Sequence, residues 1–118
     1  MQIDKTNRSG RFSAQGKLLP EEAAELAASA LSAAGAEELR TLIVDFSNIS
    51  LTRRMTVTEC HQVGERLARL GAGLLKVAFV TSQECIVHHA FLFTVASNRG
   101  LRAATFEDEG AALSWIAA

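Results

Sequence analysis

The sequence predicts one α/β domain of order ββαβαβαβα: a mostly parallel sheet with an N-terminal antiparallel hairpin, and helices packed on the sheet. Three observations lead there. Residues 39–46 and 74–81 end in nearly unbroken apolar runs, as strands do when a sheet has both faces covered. Segments with apolar residues at helical spacing, several opened by capping signals, lie between and after these runs. A chain of 118 residues, 48% hydrophobic, fills one core and has no room for a second, so residues 1–118 form one domain.

Residues 1–18 read as a hairpin near a sheet edge. Ile3 and the alternating Phe12, Ala14, Gly16 and Leu18 flank Thr6-Asn7-Arg8-Ser9-Gly10, a cluster with turn chemistry. Pro20 suits the first position of a helix, where its missing N–H has no partner. Glu21, Glu22 and Glu25 oppose the helix dipole favourably. Ala23, Leu26, Ala27, Ala30, Leu31 and Ala34 form the apolar stripe, and Gly35 is the expected stop. The strand over residues 39–46 follows.

Thr56 and Glu59 make a capping box. The helix behind it carries Val57, Cys60, Val63, Gly64, Leu67, Leu70 and Gly71 on one side, with Glu65 and Arg69 in favourable i,i+4 order on the other. After the strand over residues 74–81, Thr81 and Glu84 suggest a second capping box for a helix over residues 84–98. Residues 101–106 form the last strand. Asp108 caps a closing helix with Ala111, Ala112, Leu113, Trp115 and Ile116. Strands separated by helices require right-handed crossovers, hence the mostly parallel sheet.

The bulk properties narrow the function. A net charge of -1 argues against a general nucleic-acid binder, and no charge run marks a membrane-surface patch. Met1-Gln2-Ile3-Asp4-Lys5 lacks the apolar core of a secretion signal, and nothing approaches the roughly 20 apolar residues of a membrane span. The two cysteines, Cys60 and Cys85, form no CxxC pair. A cytoplasmic location, without membrane insertion, is expected.

The segment Val44-Asp45-Phe46-Ser47-Asn48-Ile49-Ser50-Leu51 resembles the loop entry of STAS domains, the SpoIIAA-like anti-sigma-factor antagonists, after the same early hairpin and helix. Lys76-Val77-Ala78-Phe79-Val80, and Phe106-Glu107-Asp108-Glu109 leading into Ala112-Leu113-Ser114-Trp115-Ile116, are similar to small bacterial proteins called SpoIIAA-like or STAS/SEC14-like. The resemblance implies a regulatory module working by protein contact. It does not extend to the switch. Where the antagonists carry a phosphorylated serine in an Asp-Ser-x-Gly segment, this chain has Arg53-Arg54-Met55-Thr56. No phospho-acceptor is therefore assigned, Thr56 being accounted for as a helix cap.

Ligands of open parallel sheets usually bind beyond the C-terminal strand ends, which here nominates Asp45, Ser47, Asn48 and Ser82. Asp45 could hold a ligand hydroxyl or cation; its structural reading, favoured because no second acid accompanies it, is as acceptor for nearby backbone N–H groups. The missing second acid also argues against a phospho-receiver domain. Cys60-His61 and Cys85 with His88-His89 offer soft ligands, but the positions diverge around their helices, so no metal, cofactor or catalytic set is expected.

The segment 84–98 is apolar nearly all round. Ile86, Ala90 and Phe93 project together, and Phe91, Leu92 and Val95 face away from them. One side can meet the sheet. The other needs a cover, either the protein's own hairpin or last helix, or an outside companion. Val87, Phe91, Leu92 and Val95 are the expected surface for a homodimer, a protein partner or an apolar small molecule. Two functions follow: a non-catalytic regulatory module acting as a homodimer, or a SEC14-like carrier with Met55, Phe79, Phe91 and Phe93 lining a cavity.

Overall fold

A computed structural model describes residues Met1–Ala118. Strand β1 (Gln2–Asp4) turns back into β2 (Ser9–Leu18), followed by α1 (Pro20–Ala36), β3 (Thr41–Leu51), α2 (Val57–Leu70) and β4 (Lys76–Val80). Two short helices come next, α3 (Gln83–His88) and α4 (Ala90–Asn98), then β5 (Ala103–Phe106) and α5 (Glu109–Ala117). The sheet runs β1-β2-β3-β4-β5, antiparallel between β1 and β2 and parallel elsewhere. The expected α/β class and mixed sheet are thus present. The order is ββαβαβααβα because one expected helix is two.

A parallel sheet whose strands follow chain order has no reversal, so right-handed crossovers put every connecting helix on one face. Alternate strand residues divide accordingly. Leu42, Val44, Val77 and Phe79 pack with Ala27, Leu31, Cys60, Leu67, Leu92 and Ala96 under α1, α2 and α4. Ile43, Ala78 and Val80 point the other way and meet only α5, through Ala112, Trp115 and Ile116. Two helical layers of unequal size enclose the sheet.

Local rules explain most boundaries. At the start of α2, Thr56 Oγ1 accepts from the Glu59 N–H at 3.1 Å, and Glu59 Oε1 accepts from the Thr56 N–H at 2.8 Å. Asp108 Oδ1 accepts from the Ala111 N–H at 2.8 Å and starts α5. Gly64 lies where α2 and α4 touch: a Cβ there would sit 2.6 Å from the Leu92 carbonyl oxygen, so only glycine permits this spacing.

Five expectations need correction. Gly35 does not stop α1. The helix ends in a Schellman motif, with Leu39 N–H donating to the Ala34 carbonyl, Glu38 N–H to that of Gly35, and Glu38 itself in the left-handed region at φ 55°. Residues 47–51 are strand rather than loop, since β3 continues beside β2 to Leu51. Val57 stands in the first turn of α2 but is exposed, away from its buried stripe. Ser82, not Thr81, caps α3, its Oγ accepting from the Cys85 N–H at 3.2 Å.

The fifth concerns residues 84–98, where the helix breaks at His89, at φ -119° and ψ 19°. At the break the His89 ring is buried and hydrogen-bonded within the protein. Packing against α2 separates the four residues nominated for a partner surface. Leu92 and Val95 are 5% and 6% exposed, packed toward α2 inside their own chain. Val87 and Phe91 are 66% and 44% exposed. The helix has one covered side, and its cover is intramolecular.

Candidate functional site

Strand β4 pairs with β3 only as far as Asp45–Val80, whereas β3 runs on to Leu51. Beyond Val80 the sheet is therefore narrower, and the helices above it have less to rest on. A bulge shapes the projecting half: Ser13 pairs with Asp45, but Gln15 pairs with Asn48, so β3 holds one extra residue there. Its alternation slips by one. Leu42, Val44 and Phe46 face the large helical layer before the slip, and Ile49 and Leu51 face it afterwards.

The result is a cavity of about 600 Å³ at the C-terminal ends of β3 and β4. Thirteen of its 21 lining residues are hydrophobic, which makes it a largely apolar space. Phe46, Ile49 and Leu51 of β3, Ala23, Ala24 and Ala27 of α1, Val63 of α2, Phe79 of β4, and Leu92 and Phe93 of α4 line it. The alanines leave room that larger side chains would fill. Phe46, Met55, Val63 and Phe93 stay only half-buried because they border this space. Phe79 and Phe93 contact each other at 5.1 Å between ring centroids.

The rim is polar. Arg53 is held by Glu59, Nη1 to Oε1 at 2.7 Å, and by Glu21, Nη2 to Oε1 at 2.9 Å. The Arg53 guanidinium and the helix-capping hydrogen bonds at Thr56 hold the Glu59 carboxyl down to about 2. Arg54, Ser82, Glu84, Cys85 and His88 complete the rim.

His89 ties the rim to the helix break. Its Nε2 accepts from the Met55 N–H at 3.1 Å, and its Nδ1 lies 3.0 Å from the Cys85 carbonyl oxygen and 3.3 Å from Cys85 Sγ. An Nε2 that accepts is unprotonated, so Nδ1 carries the proton and donates to Cys85. The imidazole then has no free lone pair toward the thiol. Cys85 and His89 are neighbours but are not wired as nucleophile and base. Burial, reinforced by the charges of His88 and Arg54, holds the His89 imidazole below its ordinary value, against the opposing pull of the Cys85 carbonyl. Cys60 lies buried in the core, where desolvation pushes its thiol up.

Of the strand-end residues nominated from sequence, only Ser82 borders the cavity. Asp45 and Ser47 lie on the opposite, α5-covered face. Asp45 Oδ1 accepts from both the Ser47 N–H at 3.0 Å and the Ser47 hydroxyl at 2.6 Å, which braces the bulge. Its Oδ2 accepts from Arg11 Nη2 at 2.7 Å, and Arg11 Nε reaches Glu109 at the start of α5. Asn48 is exposed beside Gln15. Of the four residues named for a cavity, Met55, Phe79 and Phe93 line this one, whereas Phe91 lies outside it with its ring stacked on His61. The three α1 alanines, Ile49 and Leu51 also line the cavity, though the sequence marks them only as packing and motif positions. The α1 alanines and the slipped spacing of Phe46, Ile49 and Leu51 were the available signals.

No protein-family model matches this chain, and no curated protein or solved structure matches it. The STAS resemblance therefore rests on the sequence motifs.

Proposed function

We propose that this domain is a non-catalytic binding module that takes one small, mostly apolar molecule into the cavity at the ends of β3 and β4. The observation carrying this reading is the cavity itself. Its volume of about 600 Å³ suits a small-molecule site, commonly about 300–1,000 Å³, and large apolar side chains stand half-uncovered around it. The position, beyond the C-terminal ends of parallel strands, is the usual one for ligands of such sheets. The chain's motif likeness to STAS domains supports a regulatory role, with occupancy read out by protein contact. Two unpaired cysteines fit work in a reducing cytoplasm.

The test is uptake of an environment-sensitive apolar dye such as anilinonaphthalene sulfonate. The wild-type chain brightens it saturably with one site, and Val63→Phe, which fills the cavity, removes most of that signal at unchanged helix content. A dye response unaffected by Val63→Phe counts against the reading.

A second reading, self-association, is favoured by the exposed pair Val87 and Phe91. Sedimentation then shows a dimer at micromolar concentration that Phe91→Glu converts to monomer. A monomeric wild type removes it. Val95 is no probe of this surface, because a charge there strikes the α2–α4 contact.

A further inference from the structure

The cations on the cavity rim are unequally engaged. Arg53 has both terminal nitrogens occupied, Nη1 on Glu59 and the Arg54 carbonyl, Nη2 on Glu59 and Glu21. Arg54, the next residue, also lines the cavity, and its exposed guanidinium has no ion pair or hydrogen bond within the protein. The one acid on the rim, Glu84, does not neutralise it: Glu84 projects into water, and its nearest partner is His88 at 3.9 Å. Arg54 is nonetheless close enough to the interior that its charge disfavours protonation of the buried His89, after burial itself and the charge of His88. An apolar chamber thus opens beside a free cationic side chain, Arg54, and a free carboxylate, Glu84, which is turned to water, with the Ser82 hydroxyl on the same rim.

Resting on the reading of this cavity as a ligand site, we infer that its ligand is an amphiphilic carboxylate. An aryl or medium-length alkyl body fills the space between Phe46, Met55 and Phe93, and the carboxylate is received by Arg54. A guanidinium fits this role because its fork of donors matches the two carboxylate oxygens, and beside an apolar wall the pairing is less screened than in bulk water. A neutral alcohol of the same body lacks the charge, and an ammonium is repelled. The charge separates ligands that the apolar lining cannot.

The experiment is calorimetric titration of the full chain with decanoate, decanol and decyltrimethylammonium. Decanoate binds at least tenfold more tightly than decanol, and the ammonium binds least. Arg54→Gln reduces decanoate to the level of decanol and leaves decanol unchanged. Arg69→Gln, a cation of α2 outside the lining, preserves the preference. Equal binding of decanoate and decanol by the wild type overturns the inference while leaving an apolar ligand site standing. A decanoate preference that survives Arg54→Gln, or is lost equally in Arg69→Gln, overturns the assignment to Arg54. Failure of all three to bind overturns both the inference and the ligand site.

Discussion

Beneath α1, α2 and α4, one face of the sheet is held by a continuous apolar core that includes Leu31, Leu42, Val44, Leu67 and Val77, yet it leaves a cavity where β4 stops short. The opposite face carries α5 alone, with four buried apolar residues and a set of polar tethers in place of area. Lys76, buried in β4, donates from Nζ to the carbonyls of Trp115 at 2.7 Å and Ala118 at 2.8 Å, satisfying acceptors at the C-terminal end of α5. Arg11 bridges Asp45 of β3 and Glu109 at the other end of that helix. Sequential strand order explains the asymmetry: three crossovers load one face, and only the terminal helix remains for the other. The crowded face is the one with space for a ligand, because its packing has to span strands of unequal length.

The comparison breaks or sharpens under four substitutions. Leu42→Ala, in the thick layer, costs about 2–5 kcal/mol in urea unfolding, the usual range for a fully buried leucine. A cost under about 1 kcal/mol, well below that range, means the large layer is not the main store of stability. Lys76→Met, on the thin face, removes charge-assisted hydrogen bonds and costs about 1.5–3 kcal/mol. Trp115, which lies under the Lys76 ammonium at 5.2 Å, reports the loss by fluorescence. The variant should loosen α5 while leaving the dye response of the cavity intact.

His89 sharpens the same contrast by pH. Its pKa is lower in the fold than the ordinary 6.5, so below pH 6.5 the unfolded chain binds the proton first. Stability on the cavity side therefore falls as pH drops through 6.5 and continues to fall toward the lower folded-state value. Urea midpoints at pH 7.5 and 5.5 should differ more in the wild type than in His89→Gln. The smallest effect is expected at the α1 terminus. Glu38→Gly relieves a left-handed non-glycine residue and raises stability by up to about 1 kcal/mol, less the entropy that glycine adds to the unfolded chain.

Local chemistry made much of this fold readable. The alternation of Phe12, Ala14, Gly16 and Leu18 marks β2, and the Thr56–Glu59 box marks the start of α2, since each signal lies within a few residues. The features that shape the site are less local. Ser47, Asn48 and Ser50 have the composition of a turn, and only the pairing of β3 with β2 holds them extended. The slip from Phe46 to Ile49 is visible as a three-residue step among apolar positions, but it reads as a bulge only once β2 is known to run alongside. Nothing in the apolar run of residues 84–98 announces a break, because the buried histidine that stands at it is bonded to Met55, 34 residues earlier. Lys76 likewise reads as an anomaly within an apolar strand until α5 supplies the carbonyls. Phe91 and Val95 look alike by helical projection, and packing against α2 separates them.

Native mass spectrometry of the gently purified chain bears most directly on the cavity as a ligand site. The account predicts a population heavier than the polypeptide by one small molecule, released by organic solvent and restored by adding decanoate. A chain that arrives and remains at its bare mass, even with decanoate in excess, contradicts it.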